Sequence, residues 1–283
     1  MSGNTGTMQR SFAEVDVFTD VPFRGNPLAV VIDAEGLTDE QMQRFANWTN
    51  FSETSFLLPP TDPAADYRVR IFTTTTELPF AGHPTIGSCH AWLGNGGKPQ
   101  HDGEIVQECA IGLVTIKPEG DQLAFAAPPL IRGGALDSST LDEAVAALGI
   151  NRGAVVDSAW IDNGPGWLGL LLGSADEVLA LKPHDTPLKI GVIGAHPDGA
   201  DAAYEVRAFF PADGKTFEDP VTGSLNASAA QWLIGSGRFT PPYIATQGTA
   251  LGRAGRVSIT TDSTHHVWVG GGAVTCVHGT VDL

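Results

Sequence analysis

The chain has 283 residues, of which 42% are hydrophobic and 17% charged, and its formal net charge at pH 7 is −16. This length suits two domains of about 130 residues each, and the negative charge argues against nucleic acid and anionic membranes as partners. Its three cysteines have no metal-ligand spacing, which indicates free thiols in a reducing compartment. Because no secretory signal pattern and no apolar run of about 18 residues is present, we expect a cytoplasmic protein.

Strand patterns predominate along the chain, and few helices interrupt them. The predicted strands are Phe12–Phe18, Leu28–Ile32, Thr54–Leu58, Tyr67–Phe72, Ile111–Ile116, Gln122–Ala126, Ala154–Ile161, Trp167–Leu172, Leu188–Ile193, Tyr204–Phe210, Arg256–Thr260, His265–Val269 and Ala273–Val281. Capping-box patterns predict surface helices that start at Thr38, Thr140 and Ser174.

One stretch of the sequence occurs twice. The first copy runs Glu77-Leu-Pro-Phe-Ala-Gly82-His83-Pro84, and the second runs Glu218-Asp219-Pro-Val-Thr-Gly223-Ser224. Each copy continues into a small-residue helix that is apolar nearly all round, and such a helix belongs inside a wrapping sheet. The duplication therefore predicts an α+β fold of two pseudo-symmetric domains, each a barrel-like, mostly antiparallel sheet around a central helix.

The domain boundary is predicted in the segment Ala127–Gly134, which is rich in glycine and proline. We expect an N-terminal domain over residues 8–126 and a C-terminal domain over residues 127–272. A final strand within residues 273–283 is expected to return to the first domain.

The two helix N-termini of the duplicated stretch can point at one cleft and hold a small anion, because unpaired N–H groups and the helix dipole favour a carboxylate. His83 and Ser224 occupy equivalent positions, each directly after a glycine. Two interpretations stay open for this pair: they line a binding site, or they only cap their helices.

Three further polar residues are candidates for the same site. Glu53 lies among apolar neighbours, which would raise its pKa toward a value useful for proton transfer, although a solvent-exposed glutamate is the ordinary alternative. Asp219 precedes a proline and is either a turn residue or a hydrogen-bond acceptor for substrate or for His83. Asn26, between Gly25 and Pro27, is either a turn residue or part of a pocket wall.

The sequence gives no sign of a cofactor. Its histidines have no metal-ligand spacing, no phosphate-binding glycine loop or dinucleotide-binding motif is present, and no lysine suggests a Schiff base with pyridoxal phosphate. We therefore expect neither a metal nor an organic cofactor.

Four runs resemble signatures of the PhzF-like family, known from phenazine biosynthesis. They are Phe18-Thr-Asp-Val-Pro-Phe-Arg-Gly25-Asn26-Pro27-Leu-Ala-Val-Val, Ser52-Glu53-Thr-Ser-Phe, and the two copies of the duplicated stretch. The resemblance implies the diaminopimelate-epimerase-like fold, in agreement with the architecture predicted from the duplication. Family members are commonly homodimers, so a homodimer is also expected.

The resemblance also implies roles for individual residues. The family's acid/base is the glutamate of the Ser-Glu run, here Glu53, while His83 and Asp219 match positions that contact substrate and relay protons. The residues Asn26, Ser52, Gly82, Gly223 and Ser224 are the expected substrate-binding set. Diaminopimelate epimerases carry a cysteine before each paired glycine, but Ala81 and Thr222 stand there in this chain. A two-thiol racemisation is therefore not expected.

The resemblance implies a cofactor-independent isomerase that moves a proton between carbons of a small carboxylate, such as trans-2,3-dihydro-3-hydroxyanthranilate or an analogue. Two alternatives remain open from the sequence. One is an amino- or hydroxy-acid epimerase or racemase, which needs a second base, and the other is a non-catalytic ligand-binding or scaffold protein.

Overall fold

The computed structural model describes residues 8–283, and these divide into two compact units. The first unit contains residues 8–125 together with Gly272–Leu283, and the second contains Ala126–Gly271. Each unit combines a mostly antiparallel sheet with a long buried helix, so the predicted α+β architecture is confirmed.

The described residues form eighteen strands and five α-helices. The strands are β1 (Gln9–Val17), β2 (Asn26–Val31), β3 (Thr54–Leu58), β4 (Tyr67–Phe72), β5 (Glu77–Leu78), β6 (Ile105–Cys109), β7 (Gly112–Glu119), β8 (Gln122–Ala126), β9 (Arg132–Gly134), β10 (Val155–Asp162), β11 (Trp167–Leu172), β12 (Lys189–Ala195), β13 (Tyr204–Ala212), β14 (Lys215–Asp219), β15 (Tyr243–Gln247), β16 (Gly255–Thr261), β17 (Val267–Gly271) and β18 (Ala273–Asp282). The helices are α1 (Asp39–Thr49), α2 (Gly82–Gly94), α3 (Ser138–Leu148), α4 (Ala175–Leu179) and α5 (Gly223–Gly235).

In the first unit the strands pair in the order β18, β1, β2, β3, β4, β6, β7, β8, and β5 also pairs with β4. The pairs β2–β3 and β4–β6 are parallel, and the others are antiparallel. The last strand lies in this unit, since β18 pairs with β1 along its whole length.

In the second unit the order is β9, β10, β11, β12, β13, β15, β16, β17, and β14 also pairs with β13. Here β11–β12 and β13–β15 are the parallel pairs. The same alternation of antiparallel and parallel steps thus occurs in both units, as the duplicated sequence predicts.

The two helices of the duplicated stretch, α2 and α5, lie buried against the sheets of their units. Helix α2 packs against β1, β2, β3, β6 and β18, and helix α5 packs against β10 and β17. A glycine permits the close approach in each case: a Cβ on Gly87 would lie 2.6 Å from Leu28 Cδ2, and one on Gly191 would lie 2.3 Å from Leu225 Cδ1. Such spacing is too short for any other side chain without repacking.

The sequence predictions missed several short elements. The strands β5, β6, β9, β14 and β15 were not predicted, and β9 lies inside the segment expected to be only a linker. Helix α3 begins earlier than Thr140, because Asp137 is its N-cap and accepts a hydrogen bond from the Thr140 N–H. The caps predicted at Thr38 and Ser174 are confirmed for α1 and α4.

Among residues 8–283, no helix has the length and apolar character needed to cross a membrane.

Candidate active site

The N-termini of α2 and α5 carry no side-chain cap. The N-cap residues are Ala81 and Thr222, both extended, and neither side chain bonds to its helix. The hypothesis that His83 and Ser224 serve only as caps is therefore wrong, since both lie within the first turn rather than at the cap. N–H groups at an uncapped helix start can bind a carboxylate, and the helix dipole adds to that attraction.

In the first unit, the starts of two parallel strands lie beside the start of α2. Asn26 opens β2, and Glu53 directly precedes β3, which pairs in parallel with β2. This arrangement brings Glu53 Oε2 to 3.7 Å from His83 Nδ1. Two of the residues predicted for the site are therefore neighbours in space, while Ser52, next to Glu53, is exposed.

The imidazole of His83 is almost completely buried, with 5% of its side chain exposed. Burial lowers its pKa from 6.5 to about 3, although a hydrogen bond to the backbone carbonyl of Pro27 acts in the opposite direction. His83 is therefore neutral at physiological pH, and its contact with Glu53 is not an ion pair. A neutral imidazole can both donate and accept a hydrogen bond, as a proton relay requires.

Glu53 is mostly buried, with 18% of its side chain exposed. The alternative of an ordinary solvent-exposed glutamate therefore does not describe it. A carboxyl group that is shielded but still reachable is suited to exchange protons with a bound molecule.

A residue that the sequence analysis did not single out holds the turn before Asn26. The buried carboxylate of Asp16 accepts hydrogen bonds from the backbone N–H groups of Arg24, at 2.7 Å, and Gly25, at 2.9 Å. A Cβ on Gly25 would lie 2.1 Å from the carbonyl oxygen of Val17, so the turn requires glycine. The sequence feature that could have identified Asp16 is its position between two apolar residues of β1, Val15 and Val17, which are both buried.

In the second unit, Asp219 ends β14 and lies four residues before Gly223, the first residue of α5. The Thr222 hydroxyl donates to Asp219 Oδ2 at 2.5 Å. Behind them lies Gln247 of β15, which is fully buried and hydrogen-bonds both to Thr222 and to the backbone of Asp219. Gln247 was not predicted, because its strand was not recognised in the sequence.

Ser224 is held by two residues of the segment around the start of β11. The indole N–H of Trp167 donates to Ser224 Oγ at 3.0 Å, and the amide of Asn163 donates to the Ser224 carbonyl at 2.9 Å. Because the indole can only donate, the hydroxyl hydrogen of Ser224 points away from it and can serve another acceptor. The adjacent Gly223 is buried at the helix start.

Each copy of the duplicated stretch begins with a glutamate that pairs with an arginine of the preceding strand. Arg70 forms two hydrogen bonds with Glu77, at 2.7 and 2.6 Å, and Arg207 forms two with Glu218, at 2.9 and 2.7 Å. These bidentate pairs tie the strand to the turn that leads into the helix. The glutamates of the motif are therefore structural in both units.

Within residues 8–283, no three His, Cys, Asp or Glu side chains are placed together as metal ligands would be. The described cysteines form no disulfide, and Cys89 and Cys109 are buried.

A family model described as "Phenazine biosynthesis-like protein" matches residues 15–279. The chain belongs to this family. It is 40% identical to "Antisense-enhancing sequence 1" of Schizosaccharomyces pombe, over 96% of this chain and 98% of that protein. It is 32% identical to the trans-2,3-dihydro-3-hydroxyanthranilate isomerase of Pseudomonas fluorescens, over 96% of this chain and 99% of that enzyme.

A solved structure supports the family fold. The PhzF-family phenazine biosynthesis protein of Bacillus anthracis superposes with a TM-score of 0.82 at 24% identity, covering 98% of this chain and all of that chain. The family predicted from the four sequence signatures is thus confirmed. That the two helix N-termini serve one ligand stays a prediction from the duplicated sequence.

Proposed function

We propose that this protein is a cofactor-independent isomerase that moves a proton between two carbons of a small carboxylate. Relatives that match nearly the whole chain bear the name isomerase, among them the Pseudomonas fluorescens enzyme and an otherwise uncharacterised isomerase of Pasteurella multocida. The first of these names trans-2,3-dihydro-3-hydroxyanthranilate, which is the first substrate to test.

The observation that carries the proposal is the position of Glu53. Its carboxyl group lies 3.7 Å from the ring of neutral, buried His83, and His83 itself belongs to the uncapped first turn of α2. In the proposed reaction, Glu53 takes a proton from one carbon and returns it to another. General acid/base catalysis of this kind contributes about 10²- to 10⁴-fold to the rate.

The negative charge that develops on the substrate needs hydrogen-bond donors already in place. The N–H groups of Gly82 and His83 at the start of α2 are suited to this role, since the helix dipole points its positive end toward them. Loss of a single such donor in an oxyanion hole costs about 3 kcal/mol. We assign substrate binding to these groups and, from the resemblance, to Asn26 and Ser52.

The residues of the second unit fit the same kind of ligand. Ser224 has its hydroxyl hydrogen directed away from Trp167, and Asp219 is anchored by Thr222. From the family resemblance we assign Ser224 and Gly223 to substrate binding and Asp219 to proton relay.

An epimerase of the two-base type is less compatible with this chain. Ala81 and Thr222 occupy the positions of the two catalytic thiols, and Thr222 already donates its hydrogen to Asp219. The cytoplasmic location and the homodimer stay predictions from the sequence.

The experiment is a screen of small carboxylates, including trans-2,3-dihydro-3-hydroxyanthranilate, followed by proton NMR in D₂O. The proposal predicts a product whose double bond has moved, with no cofactor added. A product that differs from its substrate only by inversion at one carbon would establish an epimerase instead. Absence of conversion across the panel, with binding retained, would favour the scaffold alternative.

A further inference from the structure

The environment of Asp219 contains a chain of hydrogen bonds whose direction is fixed by the backbone. Gln247 Oε1 accepts from the Thr222 backbone N–H at 3.0 Å, and Gln247 Nε2 donates to the Asp219 carbonyl oxygen at 3.0 Å. A backbone N–H only donates and a carbonyl only accepts, so these two bonds determine which end of the amide is oxygen and which is nitrogen.

The orientation of Gln247 then determines the orientation of the Thr222 hydroxyl. Gln247 Nε2 donates its second hydrogen to Thr222 Oγ1 at 3.0 Å, which occupies a lone pair of that oxygen. The one hydrogen of the hydroxyl is left for Asp219 Oδ2, at 2.5 Å. The chain therefore runs in one direction, from amide to hydroxyl to carboxylate.

The side-chain amide of Gln247 uses all of its hydrogen-bonding groups and is held in one orientation. Gln247 Oε1 accepts a second hydrogen bond from Asn226 Nδ2 at 2.7 Å, so both donors and both acceptor positions of the side chain are used. Gln247 and Asn226 are fully buried, where breaking any of these bonds would leave an unsatisfied polar group. The hydroxyl of Thr222 cannot turn away from Asp219 without such a loss.

The first unit provides an internal comparison. Gln107 is also buried and donates to the hydroxyl of Thr85 at 3.1 Å, but that hydroxyl donates to the carbonyl oxygen of Ala81. The residue equivalent to Asp219 is Leu78, and the residue equivalent to Thr222 is Ala81 itself. Within residues 8–283, a directed chain that ends on a carboxylate thus occurs only in the second copy, where Asp219 takes the place of Leu78.

We propose that Thr222 and Gln247 are positioning residues that hold the Asp219 carboxylate in the one orientation from which it relays protons during the isomerisation. This inference rests on the proposed function. Thr222, which occupies the position of a catalytic cysteine in the epimerases, would here position a carboxylate instead of removing a proton. Thr222 does not contact the reacting atoms; it acts through Asp219.

The test compares three variants with the wild type on trans-2,3-dihydro-3-hydroxyanthranilate. Thr222→Val keeps the shape and removes the hydroxyl, and it is expected to lower kcat about 10- to 100-fold with little change in KM. Thr222→Ser restores the hydroxyl and is expected to recover most of kcat. Gln247→Glu replaces the amide donor by a second acceptor for the Thr222 hydrogen, and we expect a similar fall in kcat.

Thr246→Val is the matched control. Thr246 also donates to a buried carboxylate at 2.5 Å, that of Glu205, but it is the strand neighbour of Gln247 and so points to the opposite face of the sheet. It should lose stability while keeping kcat. Equal losses of kcat in Thr222→Val and Thr246→Val, or no loss in Thr222→Val, would overturn the proposal.

A structural readout keeps this test independent of the proposed function. Crystal structures of the wild type and Thr222→Val are expected to differ in the rotamer of Asp219. If the carboxylate keeps its place without the hydroxyl, the positioning role is refuted, whatever the activity. If the wild type does not convert the substrate but Asp219 moves in Thr222→Val, the positioning role holds and it is the choice of substrate that fails.

Discussion

Replacing His83 by glutamine should flatten the dependence of stability on pH, because His83 is held neutral by burial. Its pKa is lowered from 6.5 to about 3 in the folded protein, while the unfolded chain protonates it near 6.5. Below that value the unfolded state binds one more proton than the folded state, so stability falls as pH falls. The contribution is fully present above about pH 6.5 and is lost progressively toward pH 3.

The size of this loss of stability follows from the pH interval over which the two proteins are compared. Between about pH 7.5 and about pH 5.5, protonation of this one side chain in the unfolded state should cost about 1.4 kcal/mol of the free energy of unfolding. Other groups titrate as well, so the quantity to compare is the loss in the wild type minus the loss in His83→Gln.

The assay is urea denaturation of both proteins at the two pH values, with His101→Gln as the control because His101 is exposed. The control should lose as much stability as the wild type, and His83→Gln should lose about 1.4 kcal/mol less. Glu53 Oε2 lies 3.7 Å from His83 Nδ1, so the comparison is repeated in the Glu53→Gln background. Equal losses in all proteins would refute the claim that His83 is neutral.

Two further predictions concern stability and are checked by the same denaturation assay. Glu218→Ala leaves the guanidinium of Arg207, which is only 7% exposed, without its ionic partner, and it should lower the free energy of unfolding by about 3–5 kcal/mol. Glu77→Ala removes the partner of the more exposed Arg70 and should lower it by about 1 kcal/mol or less. Equal losses would contradict this difference between the two pairs. Gly25→Ala places a Cβ against a backbone carbonyl and should cost about 1–3 kcal/mol, whereas Gly94→Ala, with open space around it, should be neutral or stabilising; a harmless Gly25→Ala would show that the turn can relax.

The fold was predictable because the sequence repeats itself. Two helices made of small apolar residues had to be buried, and the strand patterns around them supplied the sheets that bury them. The strands that escaped prediction are short or carry polar residues on an exposed side, as β14 does, so their periodicity is too weak to recognise.

The site residues that could be predicted are those that stand in a recognisable local sequence motif. Glu53, His83 and Asp219 stand in motifs, and the first two are indeed neighbours. Asp16 and Gln247 stand in no motif, and their importance comes from hydrogen bonds to backbone groups distant in sequence. Pairings of that kind depend on the register of the sheet, which a single sequence does not reveal.

The proposed reaction depends on Glu53 as the carrier of the proton. The decisive measurement is the rate of product formation by Glu53→Gln, compared with the wild type and with Glu77→Gln, whose glutamate lies in a structural pair. We expect Glu53→Gln to bind the substrate but to lose about 10²- to 10⁴-fold in kcat, while Glu77→Gln stays near the wild type. A Glu53→Gln variant that forms product at the wild-type rate would show that Glu53 does not carry the proton.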